Sequence, residues 1–469
     1  MSLTDGFTVR LGRRTQLREG GRVLVGGSPT RVARLTTGAA TLIVDRQLIV
    51  RDATGRALAE HLMAAGLAEP VASSLSPIPL AQLSVVIPVK DRPAQLARLL
   101  ASIPPAVAET IVVDDGSDDA DAVAAVARSS GAVLVAHPDN RGSAAARNTG
   151  LSRVRTPFVA FVDSDVVIEP ECFDTLLRHF ADPRLAMAAP RVLGLEGEAA
   201  NWITRYENSR SSLDLGTDSA SVRPRSPVTW VSSTCLVARV DRLGAGFDPS
   251  MHVGEDVDLV WRLVAEGHRV RFEPAAVVRH EHRTRLRTWL GRKFFYGTGA
   301  HPLAARHPAD IPPVVLPPWG VVLLIALLAQ RRWSIPVALA TTVVVATRIA
   351  RRIGHVHDRR AIATHLTLSG VAASIAQGFA LLVRHWWPAA ALGSVFSRRL
   401  RRAVVLAAVA DAVWEFVRLR PGLDPLRFGL ARRLDDLAYG AGVWWGALRG
   451  RSLAALRPTL TRTSGQRDV

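Results

Sequence analysis

The sequence predicts an α/β protein with a parallel sheet at its centre, a small unit before it and a helical, apolar region after it. Three observations carry that prediction. Strand-length apolar runs alternate with helix-length segments between residues 82 and 162, the pattern of a parallel sheet whose crossovers bring the strand ends to one edge. Two of the runs end in carboxylates, at Asp114-Asp115 and Asp163-Ser164-Asp165. Residues 311–469 hold long apolar stretches broken by arginine clusters.

Composition sets the limits. A chain of 469 residues that is 48% hydrophobic can bury two or three cores and is not disordered. Its net charge of +18, nearly all arginine, points to anionic partners: nucleic acid, phosphorylated substrates or an acidic lipid surface. A GC-rich coding preference for arginine would give the same charge. Cys172 and Cys235 have no paired spacing, so neither a disulfide framework nor a zinc site is implied. No apolar run opens the chain between Met1 and Thr15, and no cleavable signal peptide is expected.

Residues 1–70 read as the first unit. Short strands are expected at Thr8-Val9-Arg10-Leu11 and Arg22-Val23-Leu24-Val25, followed by the turn Gly26-Gly27-Ser28-Pro29. Val32, Leu35, Ala39 and Leu42 fall at helical spacing, and a second helix from Arg56 to Ala65 stops at Gly66. Residues 71–81, rich in serine and proline, read as a linker.

Residues 82–310 form the α/β domain. Its expected strands are Leu83–Val89, Thr110–Val113, Ala132–Val135 and Phe158–Val162, with helices at Pro93–Ile103, Asp118–Arg128 and Ser143–Leu151. Asp114, Asp115, Asp163 and Asp165 then converge on one crevice. Four carboxylates there repel one another unless a cation or hydrogen-bond donors meet them, and a nucleotide diphosphate with Mg²⁺ or Mn²⁺ supplies both. An isolated Asp-x-Asp is also compatible with a solvated turn. Neither a Gly-x-x-x-x-Gly-Lys loop nor a Gly-x-Gly-x-x-Gly turn after the first strand is present, which disfavours NTPase and dehydrogenase chemistry. Leu195–Pro227 reads as a long loop, Val228–Val237 as a strand, and Gly254-Glu255-Asp256-Val257-Asp258-Leu259 as the start of a helix, where the acids could simply complement the helix dipole. A further strand ends at Val277-Val278-Arg279-His280-Glu281-His282, with two histidines that are either ligands or exposed surface.

Beyond residue 310, Val314–Ala329 and Leu366–Val383 are marginal candidates to span a membrane, and the shorter Ile335–Thr347 reads as re-entrant or lying along the surface. Arginines flank the middle stretch on both sides, so charge does not fix orientation. Ala403–Val417 and Leu426–Leu448 read as amphipathic surface helices. A wholly soluble helical domain is the alternative.

The strings Val85-Val86-Ile87-Pro88-Val89-Lys90-Asp91-Arg92, Val112-Val113-Asp114-Asp115-Gly116-Ser117, Asn140-Arg141-Gly142-Ser143-Ala144-Ala145-Ala146-Arg147-Asn148 and Asp163-Ser164-Asp165 resemble, in order and approximate spacing, those of family 2 glycosyltransferases of the GT-A fold. The resemblance implies a nucleotide-sugar site with Pro88 and Asp91 beside the nucleoside, Asp114 also binding the nucleotide sugar, Asp115 on the base, Arg147 on the nucleotide, Asp163 on the ribose and metal, Asp165 as metal ligand, and His280 as a third metal ligand or a diphosphate contact. A structural ion pair is the other reading of Arg147. Lys90-Asp91 departs from the commoner Tyr-Asn. The resemblance also makes Asp256, with Glu255 beside it, the general base of an inverting transfer. The Gln-x-x-Arg-Trp motif of processive members is absent.

Gly26-Gly27-Ser28-Pro29, Arg34-Leu35-Thr36 and Ala65-Gly66-Leu67-Ala68-Glu69-Pro70 resemble the winged-helix peptide-recognition domains related to the PQQ-pathway chaperone, which take a peptide as an added strand. With Leu213-Asp214-Leu215-Gly216, Tyr296-Gly297-Thr298 and Arg306-His307-Pro308, the chain is similar to glycosyltransferases of the mycofactocin system. That similarity implies transfer of glucose from UDP-glucose onto a peptide-derived redox cofactor precursor, building a β-linked oligomer. A divalent cation, Mg²⁺ or Mn²⁺, and no nucleic-acid partner are expected, and the apolar stretches of residues 311–469 are taken to attach the protein to the inner cell membrane with the catalytic domain facing the cytoplasm. A lipid-linked or cell-wall acceptor is the alternative, but it leaves residues 1–70 unexplained.

Overall fold

The computed structural model describes residues 3–195, 197, 200–354 and 356–461. By internal contacts the chain divides into two compact units, Met1–Glu198 with Arg210–His282, and Ala199–Ser209 with Arg283–Val469. The first 70 residues group with the α/β domain in the first unit.

The N-terminal part of the first unit comprises β1 (Thr8–Leu11), β2 (Gln16–Arg18), β3 (Val23–Gly26), β4 (Arg31–Arg34), α1 (Thr37–Thr41), β5 (Gln47–Ile49), α2 (Ala53–Ala64) and β6 (Ala68–Pro70). Two antiparallel three-stranded sheets result, β5-β1-β6 and β2-β3-β4. Helix α2 starts where the Asp52 carboxylate accepts from the Gly55 N–H at 2.7 Å, buries Ala59, Leu62 and Met63, and ends at Gly66 with φ +67°. The expected helix through Val32 and Leu42 is instead β4 followed by the short α1. Pairing of Val32 with Val25 across β3 overrides the helical spacing of a segment only a few residues long.

The α/β part continues with β7 (Leu83–Val89), α3 (Pro93–Ser102), β8 (Glu109–Asp115), α4 (Ala120–Ser129), β9 (Val133–His137), α5 (Ser143–Leu151), β10 (Phe158–Val162), β11 (Val166–Ile168), α6 (Cys172–Arg178) and β12 (Leu185–Gly194). After α7 (Trp202–Arg210) come β13 (Ala220–Ser221), β14 (Cys235–Arg239), α8 (Glu255–Ala265) and β15 (Arg269–His280). The sheet order is β11-β15-β12-β14-β10-β7-β8-β9, with β13 on β15. Strands β10, β7, β8 and β9 are parallel, as are β12 and β15, while β14 runs antiparallel between β10 and β12. The carboxyl ends of β7, β8, β9, β10, β12 and β15 therefore share an edge with the start of β14. Leu83, Val85, Ile87, Val112, Ala160, Val162 and Val237 form the core with the helices α3 and α6. On the other face α5 lies directly on the sheet. A Cβ on Gly150 would meet Val86 Cγ1 at 2.3 Å, so only this small residue allows the approach.

Two expected segments differ. The loop from Leu195 contains α7, whose Ile203 and Tyr206 pack with Trp289, Leu423 and Phe428 of the second unit, partners far away in sequence. The strand expected from Val228 begins only at Cys235, because the residues before it turn over the strand edge and carry site contacts.

The second unit adds α9 (Leu286–Thr298), α10 (Ala300–Arg306), β16 (Val315–Leu316), α11 (Pro318–Ala329), α12 (Ser334–Arg352), α13 (Arg359–Ala380), a π-turn at Leu381–His385, α14 (Trp387–Phe396), α15 (Arg398–Leu419), α16 (Pro425–Arg449) and β17 (Thr459–Leu460). Ser334–Arg352 and Arg359–His385 are long and apolar enough to cross a membrane, and α11 is not. The expected order is thus corrected: Pro317-Pro318 delays the start of α11, whereas α12 extends past its apolar centre to Arg352. Nor is α16 a surface helix. It buries Phe428, Ala431, Val443 and Ala447 together with Arg432, Asp435 and Asp436. Its ions are met at close range: Tyr206 donates to Asp435 at 3.1 Å, Arg432 to Asp436 at 3.0 Å, and Lys293 reaches Glu207 at 2.9 Å. Burial would lower the Lys293 pKa, but Asp435 and Glu207 outweigh it and raise it.

Candidate active site

Asp163 lies one residue past β10, and its N–H donates to the Thr234 carbonyl at 3.0 Å, where the chain enters β14. The neighbouring Ser233 N–H donates to Asp256 Oδ2 at 3.1 Å. Strand end and helix start are thereby tied: Asp256 stands in the first turn of α8, which begins at Gly254 with φ +81°. The Val257 N–H donates to Asp256 Oδ1 at 2.8 Å. Burial and the adjacent Glu255 charge raise the Asp256 carboxyl to about 7, against the two N–H donors and Arg147. A carboxylate poised there can take a proton near neutrality.

Arg147 binds the two halves of the site. Its NH2 donates to Asp163 Oδ1 at 2.6 Å and its NH1 to Glu255 Oε1 at 3.0 Å, and Glu255 Oε1 also accepts from Ser143 Oγ at 3.2 Å. The guanidinium is buried and lies 5.3 Å from the centre of the Phe247 ring, whose backbone is clamped by the Asn148 amide. Burial would lower its pKa, but the two carboxylates raise it. The ion pairs to Asp163 and Glu255 are formed. They position both carboxylates.

Asp165 and His280 come together at the ends of β10 and β15. His280 Nε2 is 3.6 Å from Asp165 Oδ1, His280 Nδ1 is buried without a protein partner, and Arg92 pairs with Asp165 Oδ2. One carboxylate oxygen and one imidazole fit a Mg²⁺ or Mn²⁺ ion that keeps waters and phosphate oxygens as its other ligands. The expected three-ligand set is not formed. Asp163 is turned to Arg147, and among the described residues no three His, Cys, Asp or Glu side chains gather to hold a metal.

The nucleoside-side residues have structural partners of their own. Asp115 is buried. Its Oδ1 accepts from Arg141 N–H at 2.9 Å and faces His137 Nδ1 at 2.8 Å, and its Oδ2 accepts from Gly142 N–H at 2.8 Å. It thus fixes the loop before α5. Asp114 Oδ1 accepts from the N–H and hydroxyl of Ser117 at 3.0 and 2.6 Å, closing the turn after β8. Gly116 in that turn has φ +70°, and a Cβ there would meet Asn140 N at 2.6 Å. Asp91 is exposed with φ +54° and accepts from Asp118 N–H at 2.7 Å, which lowers its pKa. Pro88 is half-buried on β7, opposite Val113. Lys90 donates to the Gly116 carbonyl. Arg92, His137 and Ser233 escape the sequence reading. The first two follow or end predicted strands, so the strand-end rule that found the aspartates could have found them.

A family model described as "Glycosyl transferase family 2" matches residues 84–234. The chain is 42% identical over 476 residues to the pre-mycofactocin glycosyltransferase of Mycobacterium tuberculosis (strain H37Rv), covering 98% of each chain. It is 29% identical over 202 residues to the succinoglycan biosynthesis protein ExoU of Rhizobium meliloti (strain 1021), covering 40% of this chain and 58% of that one. Among solved structures, the mannosyltransferase PcManGT from Pyrobaculum calidifontis, in complex with GDP-Man and Mn²⁺, matches with a TM-score of 0.37 at 19% identity, over 65% of this chain and 89% of its own.

Proposed function

The chain belongs to the pre-mycofactocin glycosyltransferase family, and from that premise we propose that it transfers glucose from UDP-glucose, with inversion, onto a peptide-derived redox cofactor precursor. The end-to-end relationship to the M. tuberculosis protein carries this reading; the raised carboxyl of Asp256 beside the strand edge supports the chemistry. Asp256 accepts the proton of an acceptor hydroxyl as its oxygen bonds to the anomeric carbon and the bond from that carbon to the diphosphate breaks. Proton abstraction contributes about 10²–10⁴-fold. Glu255, held by Arg147 and Ser143, keeps α8 in register with the strand edge. Asp165 and His280 would hold Mg²⁺ or Mn²⁺, which offsets charge on the departing diphosphate. Asp163, Asp91 and Pro88 face the donor side. Residues 1–70 would present the peptide, and the apolar helices would attach the enzyme to the inner membrane with its α/β unit in the cytoplasm.

The test is an acceptor screen read by mass, offering peptide-derived and lipid-linked acceptors with UDP-glucose and Mn²⁺. A hexose added to the peptide-derived acceptor supports the reading. Addition only to the lipid-linked acceptor overturns the acceptor assignment and leaves the glycosyltransferase intact. Chelation by EDTA should abolish UDP-glucose hydrolysis, and Asp165→Asn should raise the metal concentration needed for half-activity by about tenfold or more; metal-independent turnover would remove the cation from the proposal.

A further inference from the structure

Helix α15 (Arg398–Leu419) carries two surfaces that its own fold does not explain. Arg398, Arg399, Arg401 and Arg402 occupy its first turns, all exposed, and no acidic residue stands in the first turn. Cations at a helix N-terminus oppose the macrodipole, so these four do not stabilise the helix they begin. Gln330 Nε2 donates to the Arg399 carbonyl at 2.7 Å, which brings the exposed Arg331 and Arg332 of the preceding loop to the same end of the unit. Six arginines therefore cluster there, beside Phe396, which is 83% exposed.

The rest of α15 is apolar on its outer side. Val405, Leu406, Val409, Val413, Trp414 and Val417 are exposed at roughly helical spacing, while Ala407 is buried and Asp411 turns inward to Arg432 and Arg433. Arg398 and Arg402 fall on the same side as that stripe by the turn of the helix. The face is thus graded along its length, cationic at its start and apolar beyond, with both acids of the helix paired, Asp411 to Arg432 and Arg433 and Glu415 to Arg418. A soluble partner would need one patch with a matching gradient; a bilayer with acidic headgroups above hydrocarbon has it everywhere.

We propose that this end of the helical unit is a docking surface for anionic phospholipid, with the arginine cluster on the headgroups and the α15 stripe in the acyl layer. The inference rests on the proposed membrane attachment and goes beyond it, because attachment by apolar helices alone needs no lipid charge. Each arginine near an acidic surface strengthens binding about fivefold.

The experiment is flotation of the full-length protein, exchanged from detergent, with vesicles of phosphatidylcholine alone or phosphatidylcholine mixed with phosphatidylglycerol. Wild type should partition at least about tenfold better into the anionic vesicles, and rising salt should erase the difference. Replacing Arg398, Arg399, Arg401 and Arg402 together by Gln should remove the preference while flotation with neutral vesicles persists. An equal loss of charge at the far end of α12 and the start of α13, by Arg348→Gln, Arg351→Gln, Arg352→Gln and Arg359→Gln, should retain it. Equal partition of wild type into both vesicles, a preference that survives the α15 substitutions, or its loss in the far-end variant each overturns the site. A lipid-independent dimer that buries α15 would assign the face to a second copy and overturn it as well. Failure to float with either vesicle would overturn the membrane reading itself, a result distinct from the others.

Discussion

Asp256 gains its basicity from burial, and the same burial works against stability. Its carboxyl sits at about 7 in the folded protein against an ordinary value of 3.8. Only the ionised form accepts a proton, so kcat/KM for UDP-glucose hydrolysis should rise with pH through about 7 and level off above it. For stability the sign is the reverse. A carboxyl raised on folding contributes stability that is present below pH 3.8 and lost as pH rises through 7. Asp256→Asn should therefore lower turnover by at least about 10²-fold while raising stability at pH 8 by on the order of 1–3 kcal/mol, with no gain at pH 4. Urea titrations at the two pH values measure this; unchanged turnover would remove Asp256 as the base. Arg147 makes the opposite case. Arg147→Ala leaves Glu255 and Asp163 without their cation and should cost about 3–5 kcal/mol, read from the same titrations. If stability holds and only UDP-glucose affinity falls, Arg147 is a ligand contact. The acids were legible as short strings at strand and helix ends. Their pairing to one buried arginine was not, because those partners are distant in sequence.

Among the elements, α16 shows how a helix can be misread. Leu426, Leu430, Trp445 and Leu448 are exposed, and with its arginines these give the segment the profile of a surface helix. What buries it is a set of glycines whose effect is invisible without a neighbour. A Cβ on Gly442 would meet the Phe294 carbonyl oxygen of α9 at 2.0 Å, and one on Gly297 would meet the Tyr439 oxygen at 2.1 Å. Gly442→Ala should thus force α9 and α16 apart and cost roughly 1–3 kcal/mol. Gly291→Ala on α9 meets nothing within 4 Å and should be neutral or stabilising by about 0.5–1 kcal/mol. Thermal melts of the two variants in detergent compare them directly; equal melts would refute the close-packing account. The same logic hid α7, whose polar sequence becomes a helix because Ile203 and Tyr206 find Trp289 and Phe428.

At the scale of the molecule, residues 1–70 are bound to the α/β domain and not merely strung from it. Arg271 pairs with Glu69, and Arg223 donates to the Ser28 and Ala64 carbonyls, the latter at 3.0 Å. Arg223→Ala should leave UDP-glucose hydrolysis within about twofold while increasing proteolytic cleavage at residues 71–81; an unchanged digestion rate would show that Arg223 does not hold the two parts together. By itself the sequence determined the alternation of strands and helices, the sheet edge that collects Asp115, Asp163 and His280, and the helix that starts at Glu255. Local apolar periodicity and strand-end chemistry are properties of short segments, and a short segment carries them wherever it lies. The tertiary structure alone decided that Arg147 faces two carboxylates, that Asp114 and Asp115 hold loops, that Asp163 pairs with Arg147, and that α16 is a core. Those outcomes depend on which charged or small residue arrives opposite another after folding. Burial then makes the pairing obligatory, since an unpaired ion away from water is too costly to keep.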